Sequence, residues 1–163
     1  MDDILRRLGH LALGSRLKRL GEQFQADTQH VLDTLDPAVP SGQHPFIAAL
    51  GALGPLTVGE LAQALGVSQP GVTRTIAGLV GRGLVETRPG SRDQRQKVVS
   101  LTDAGRRLVD LARSELWPQI DAAVAELCAG LEGPLLDQLT TIEDRLAAEP
   151  LHRRVARRRE TGR

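Results

Sequence analysis

The sequence predicts a mainly α-helical fold with one small β hairpin, and three observations predict it. Apolar residues recur at spacings of three, four or seven near both ends of the 163-residue chain. Two short helical patterns joined by Gly66, Val67 and Ser68 occupy the middle. Directly after them, "LVETR" and "KVVSL" alternate as strands do on either side of turn chemistry, "PGSRDQR". The core must be aliphatic, because there are two Phe, one Trp and no Tyr against abundant Leu, Ala and Val, a set that suits helix packing. The length fits one domain, or a small domain with an appended oligomerisation element, at roughly 100 to 200 residues per domain.

At the amino end, Leu13, Leu17, Leu20, Phe24, Val31 and Leu35 form one apolar stripe, and Ile4, Leu8 and Leu11 add a second. With no proline from Ile4 to Leu35, this predicts a single helix of about thirty residues, far above the usual dozen or so. "DPAVPSGQHP" is a loop, and a short helix follows over Phe46 to Leu53. A second long helix is predicted from Thr102 to Cys128, with Leu108, Leu111, Leu116, Ile120, Val124 and Leu127 on one side. Pro118 should kink it, since an interior proline removes one backbone donor and clashes with the preceding turn. After "GLEGP", Leu135, Leu136, Leu139, Ile142 and Leu146 define a last helix that Pro150 closes. The predicted organisation is a dimerisation helix and loop over 1–44, a compact middle over 45–101, further dimerisation helices over 102–149 and a disordered basic tail over 150–163. Faces this apolar near both termini are covered most simply by a two-fold homodimer.

The net charge of +1 hides an uneven distribution: six arginines and one glutamate follow Pro150, which leaves the preceding residues net acidic. Such a tail can hold nucleic acid or simply be solvated. The acidic start, "MDDILRRLGH", lacks a signal-peptide core, and "FIAALGALGPL" is too short for a bilayer of about 30 Å. A cytoplasmic protein with no membrane partner is expected. Cys128 stands alone, so there is no internal disulfide and no cysteine metal site. No phosphate loop, H-E-x-x-H or nucleophile motif is present, and the chain is read as a non-enzyme without cofactor or metal.

The middle carries most of the information. Thr57 with Glu60 three residues on is a capping-box pattern, and Gly66 fits the glycine that ends a helix in a left-handed conformation. Ser68 caps the next helix and Pro70 is tolerated in its first turn. Over Gln69 to Arg82, Val72, Ile76, Leu79 and Val80 share one face, while Pro70, Arg74, Ala77 and Gly81 lie opposite. That outer face is small apart from one arginine, a shape that lets a helix lie deep in a DNA major groove. An ordinary helical hairpin would share part of this pattern, and Gly78 and Gly81 weaken the helix by about 1 kcal/mol each relative to alanine. The hairpin after such a helix is a wing, and its cations are Arg88, Arg92, Arg95 and Lys97. An arginine at a wing tip can enter the narrow minor groove, and Asp93, two places from Arg95, can orient it through a charge-assisted hydrogen bond.

"TVGELAQALGVSQPGVTRTIAGLVGRGLVETR" followed by "DQRQKVVSLTDAG" resembles the MarR family of bacterial transcription regulators over about fifty residues: its helix-turn-helix, its Asp-x-Arg wing motif and its "LT-x-x-G" helix start. The resemblance implies a winged helix-turn-helix domain with long terminal dimerisation helices. It implies a homodimer bound to double-stranded DNA at a near-palindromic operator, usually as a repressor released by a small-molecule inducer. It places Ser68, Gln69, Gly71, Thr73 and Arg74 in the groove-facing part of the recognition helix, and Asp93 and Arg95 as the wing pair.

Family members often carry charged residues where this chain has Ala77, Gly78 and Val80, and a side chain where it has Gly71. Arg74 and the wing must then supply more of the affinity. The cysteine of the peroxide-sensing branch is missing near the amino end, and His10, His30, His44 and His152 are too scattered for the zinc-sensing branch. The family's ligand pocket lies between the dimer helices and the winged domain, where Leu, Ala and Val with Phe46 or His44 would line it, although plain core packing accounts for such residues equally well. A winged-helix protein-interaction module with weak or no DNA binding is the alternative reading.

Overall fold

The computed structural model describes residues 3–33, 39–90 and 96–161. It has two compact units, divided at Ile120 and Asp121.

Where the apolar spacing predicts one amino-terminal helix, the structure has three pieces: α1 (Ile4–Arg7), a 3-10 turn (Gly9–Ala12) and α2 (Leu13–Leu32). The break falls at Gly9, whose φ of +56° is left-handed and cannot continue a right-handed helix. Asp3 caps α1, accepting from Leu5 N at 3.0 Å, and reaches across the break to Arg19 Nη2 at 2.7 Å. That hydrogen bond from Arg19 holds the Asp3 carboxyl below its ordinary range. Leu35 lies outside the described residues.

Helix α3 (His44–Leu53) starts two residues before the predicted Phe46, with Pro45 in its first turn, where a missing N–H costs nothing. Then follow β1 (Leu56–Thr57), α4 (Val58–Leu65), α5 (Gln69–Gly81), β2 (Val85–Pro89) and β3 (Lys97–Leu101). The sheet is antiparallel with order β1-β3-β2. The hairpin pairs Val85 with Leu101, Glu86 with Ser100 and Arg88 with Val98, and β1 pairs Leu56 with Val99. Two residues are too short to show alternation, which is why β1 left no sequence signal.

Ile47, Leu61, Val72, Leu79 and Val99 are fully buried in the centre of this unit. Val80, grouped by spacing with the buried face of α5, is instead exposed, because it lies about 80° around the helix from Val72 at 100° per residue. The "LT-x-x-G" sequence acquires a physical meaning here. Thr102 Oγ1 caps α6 (Asp103–Leu111) by accepting from Gly105 N at 3.1 Å and donates to Gly83 O at 2.6 Å. Gly105 is required because a Cβ at that position would run into the Leu84 carbonyl oxygen.

The helix predicted over Thr102 to Cys128 is α6, a π-helical turn over Ala112–Leu116 and α7 (Trp117–Cys128). Pro118 offers no N–H to the Ser114 carbonyl and its ring would press on it, and the wider π turn relieves the clash. Beyond Ile120, the second unit holds the rest of α7, then α8 (Leu135–Ala148) and α9 (Leu151–Thr161). Gly130 and Gly133, at φ +77° and +76°, shape the connection before α8. Where the composition predicts a disordered tail over 150–163, residues 151–161 are the helix α9. It is braced at its start: Arg154 donates to the carbonyls of Glu149 and Arg145 at 2.8 and 2.5 Å, and Arg157 bonds the Glu149 carboxylate at 3.0 Å.

Candidate nucleic-acid interface

Local hydrogen bonds set the two helices of the candidate interface. Thr57 Oγ1 accepts from Glu60 N at 3.2 Å and Glu60 Oε2 accepts from Thr57 N at 2.7 Å, a complete capping box. Thr57 Oγ1 also donates to Glu60 Oε2 at 2.8 Å, and the two bonds that the carboxylate accepts from Thr57, the backbone one first, hold the Glu60 carboxyl below its ordinary range. Gly66 ends α4 at φ +63°, and Ser68 Oγ starts α5 by accepting from Gly71 N at 3.4 Å. Val72, Ile76 and Leu79 then point α5 into the core, leaving Gln69, Thr73, Arg74 and Ala77 exposed. At Gly78, Arg82 Nη1 donates to the backbone carbonyl at 2.9 Å, and Arg82 Nη1 and Gln43 Nε2 lie 3.4 Å from where a Cβ would stand.

Between the start of α4, the first turns of α5 and the start of β3 lies an open groove of about 520 Å³, lined by Thr57, Val58, Gly59, Gln69, Thr73, Gln96 and Lys97. Two of the predicted contact residues, Gln69 and Thr73, line it. Ser68 is the cap of α5, Gly71 is partly exposed on its first turn, and Arg74 is exposed one residue beyond Thr73. The sequence pattern does not single out Thr57, Gly59, Gln96 or Lys97 as contacts. Lys97 had a usable signal, since it alternates with the buried Val99 and Leu101 on β3 and must therefore share their face.

Arg88 belongs to the other face of the hairpin. It shares that face with Glu86, whose Oε1 accepts from Arg88 Nη2 at 2.9 Å and from Ser100 Oγ at 3.3 Å. It is thus apart from the groove. Arg92, Asp93 and Arg95 lie outside the described residues. Among the described residues no helix is long and apolar enough to cross a membrane.

The MarR family profile matches residues 35–96. The HTH-type transcriptional regulator PetP of Rhodobacter capsulatus is 32% identical over 111 residues, a stretch that spans 66% of this chain and 66% of PetP. Two solved structures share the fold over nearly the whole chain. A mutant MarR from E. coli complexed with operator DNA superposes with a TM-score of 0.67 at 22% identity, covering 90% of this chain and 98% of that one. The PcaV transcriptional regulator from Streptomyces coelicolor, in complex with its natural ligand, does so with a TM-score of 0.66 at 19% identity, covering 91% and 97%. On the profile match and the 32%-identical relative, with a fold that superposes on solved family structures, the chain belongs to the MarR family of winged helix-turn-helix transcription regulators.

Proposed function

We propose that the protein is a cytoplasmic, homodimeric repressor that binds double-stranded DNA at a near-palindromic operator and leaves it when a small ligand binds. The observation that carries this reading is the groove between α5 and the wing, where exposed Gln69, Thr73 and Lys97 converge beside exposed Arg74. A helix with a small outer face fits a major groove about 12 Å wide, and one arginine there suffices for a bidentate contact to guanine. Asp93 and Arg95 complete the interface as the wing pair, with Ser68 and Gly71 at the start of α5, and Arg92 adds charge at the tip.

The dimer is supported by apolar side chains that a single chain leaves in water. On α2 these are Leu13, Leu17, Leu20 and Phe24, and on α8 Leu135, Ile142 and Leu146. Contiguous exposed apolar faces of this kind mark interaction surfaces. Ligand relief is supported by a hollow of about 280 Å³ lined by Leu32, His44, Pro45, Ala48, Trp117 and Ile120, with Thr28 and Ser41. No Lys, Arg, Asp or Glu lines it, so it suits a small, neutral, mostly apolar molecule. Phe46, the other candidate, is packed in the core, the alternative that the sequence left open for it.

A mobility-shift titration with DNA from upstream of its own gene tests the reading. Specific shifting that survives excess unrelated DNA at physiological salt is expected. Equal weak binding to all DNA would favour the protein-interaction module, for which the glycines Gly71, Gly78 and Gly81 on α5 are the supporting feature.

A further inference from the structure

Helix α5 meets solvent along a side that is apolar without belonging to the core. Thr73 and Ala77 are exposed one turn apart, and Val80 follows on the same side at 43% exposure. At about 100° per residue, Thr73 and Ala77 differ by about 40° around the helix axis, so their β-carbons stand about 5–6 Å apart on one stripe. Thr73 Oγ1 donates to Gln69 O at 3.0 Å. Its hydroxyl proton is therefore committed to the helix and is not offered to a base, and the γ-methyl is the free apolar end of the side chain. Gln69, one turn earlier, lies against α4, its amide nitrogen 3.6 Å from where a Cβ on Gly59 would stand. Thr73 and Ala77 thus present methyl groups and no hydrogen-bond donor, beside the single guanidinium of α5 on Arg74.

We propose that Thr73 and Ala77 are specificity-determining residues that read the C5-methyl groups of thymines in each operator half-site. The proposal rests on the DNA-binding reading above and adds the identity of the bases. In the major groove thymine is marked by its C5-methyl, and an alanine Cβ or a threonine methyl is the matching apolar contact. Side chains this short reach a base edge only where the helix backbone itself comes close. The outer side of α5 permits that approach, because Pro70 and Gly81 flank the stripe with no long side chain to hold the backbone away. Recognition helices meet base edges with their N-terminal residues, which assigns the contact to Thr73 and Ala77 ahead of Val80. Thr73 also lines the groove that runs to Lys97, so the stripe is continuous with the cations of the candidate interface. A protein partner is a poor fit, because three small side chains fall far short of the roughly 800 Å² per partner that a stable interface takes.

The test is a methyl-deletion cycle with the full chain on the operator duplex recovered by selection from genomic fragments. Deoxyuridine replaces each thymine of the half-sites in turn, which removes the C5-methyl and leaves every hydrogen-bonding group in place. Thr73→Ser keeps the hydroxyl and removes the methyl, whereas Thr73→Val keeps a methyl and removes the hydroxyl. Wild type and Thr73→Val are expected to bind about fourfold more weakly per half-site when one particular thymine is replaced, the loss of about 0.8 kcal/mol for one methyl-sized group. Thr73→Ser should bind the thymine and uracil duplexes at that position equally. Ala77→Gly should be blind to uracil at a second position. Because two duplexes are compared on the same protein, any weakening of the helix by the glycine cancels. Specific binding with no uracil-sensitive position, or with a loss that Thr73→Ser and Ala77→Gly leave unchanged, would overturn the proposal. So would a half-site without thymine. A wild-type chain that shows no preference for the selected duplex over unrelated DNA removes the DNA-binding reading itself, an outcome distinct from specific but methyl-blind binding.

Discussion

Arg88 Nη2 stands 2.9 Å from Glu86 Oε1, on the hairpin face opposite the one that Val85, Val99 and Leu101 bury in the core. The cation expected at the wing tip is therefore already offset by a carboxylate, which a Ser100 hydroxyl holds from the neighbouring strand. Glu86→Gln should strengthen non-specific DNA binding and steepen its salt slope by up to about 1, as a newly available cation does. Thermal stability should change little, because an exposed ion pair contributes about 0–1 kcal/mol. Weaker binding by this variant, read in a salt titration, would make Glu86 a positioning group for Arg88.

Arg74 is the single charged side chain on α5 and should be the chief base reader. Arg74→Ala should cost about 1–3 kcal/mol and relax preference at one position in each half-site. Selection from randomised DNA checks this. A uniform weakening over all sequences would assign Arg74 to a phosphate.

Arg95→Ala should remove most operator affinity and make the salt dependence shallower. Asp93→Ala separates two effects of opposite sign: removal of a repulsive charge strengthens binding, and removal of the partner that aims Arg95 weakens it. Weaker binding with an unchanged melting temperature is expected. Tighter binding would reduce Asp93 to a surface charge.

Gly105 sits where any side chain would meet the Leu84 carbonyl. Gly105→Ala should destabilise the winged domain by about 1–3 kcal/mol, the usual range for overpacking, measured by denaturant unfolding. An unchanged midpoint would show that the packing of α6 on Leu84 yields freely.

Features set within a few residues were legible in the sequence. Thr57 with Glu60, Gly66 and Ser68 each act through hydrogen bonds or backbone conformations that need no distant partner. Features set by tertiary placement were not. Gly9 reads as a tolerated helical glycine until its left-handed φ breaks the helix, and β1 exists only because β3 pairs with it. Whether Arg88 or Lys97 faces the groove depends on strand register across the hairpin, which counting charges does not reveal. Helix α9 was hidden by composition, since its bracing by Glu149 and the Arg145 carbonyl joins residues on both sides of Pro150.

The most direct measurement is a footprint of the protein on genomic fragments that it selects, with the mass of the bound species determined in parallel. Two protected half-sites about one helical turn apart, centre to centre, occupied by one dimer at near-palindromic sequence, are the predicted result. A single unpaired protected site bound by a monomer, or no selection above unrelated DNA, would contradict the account.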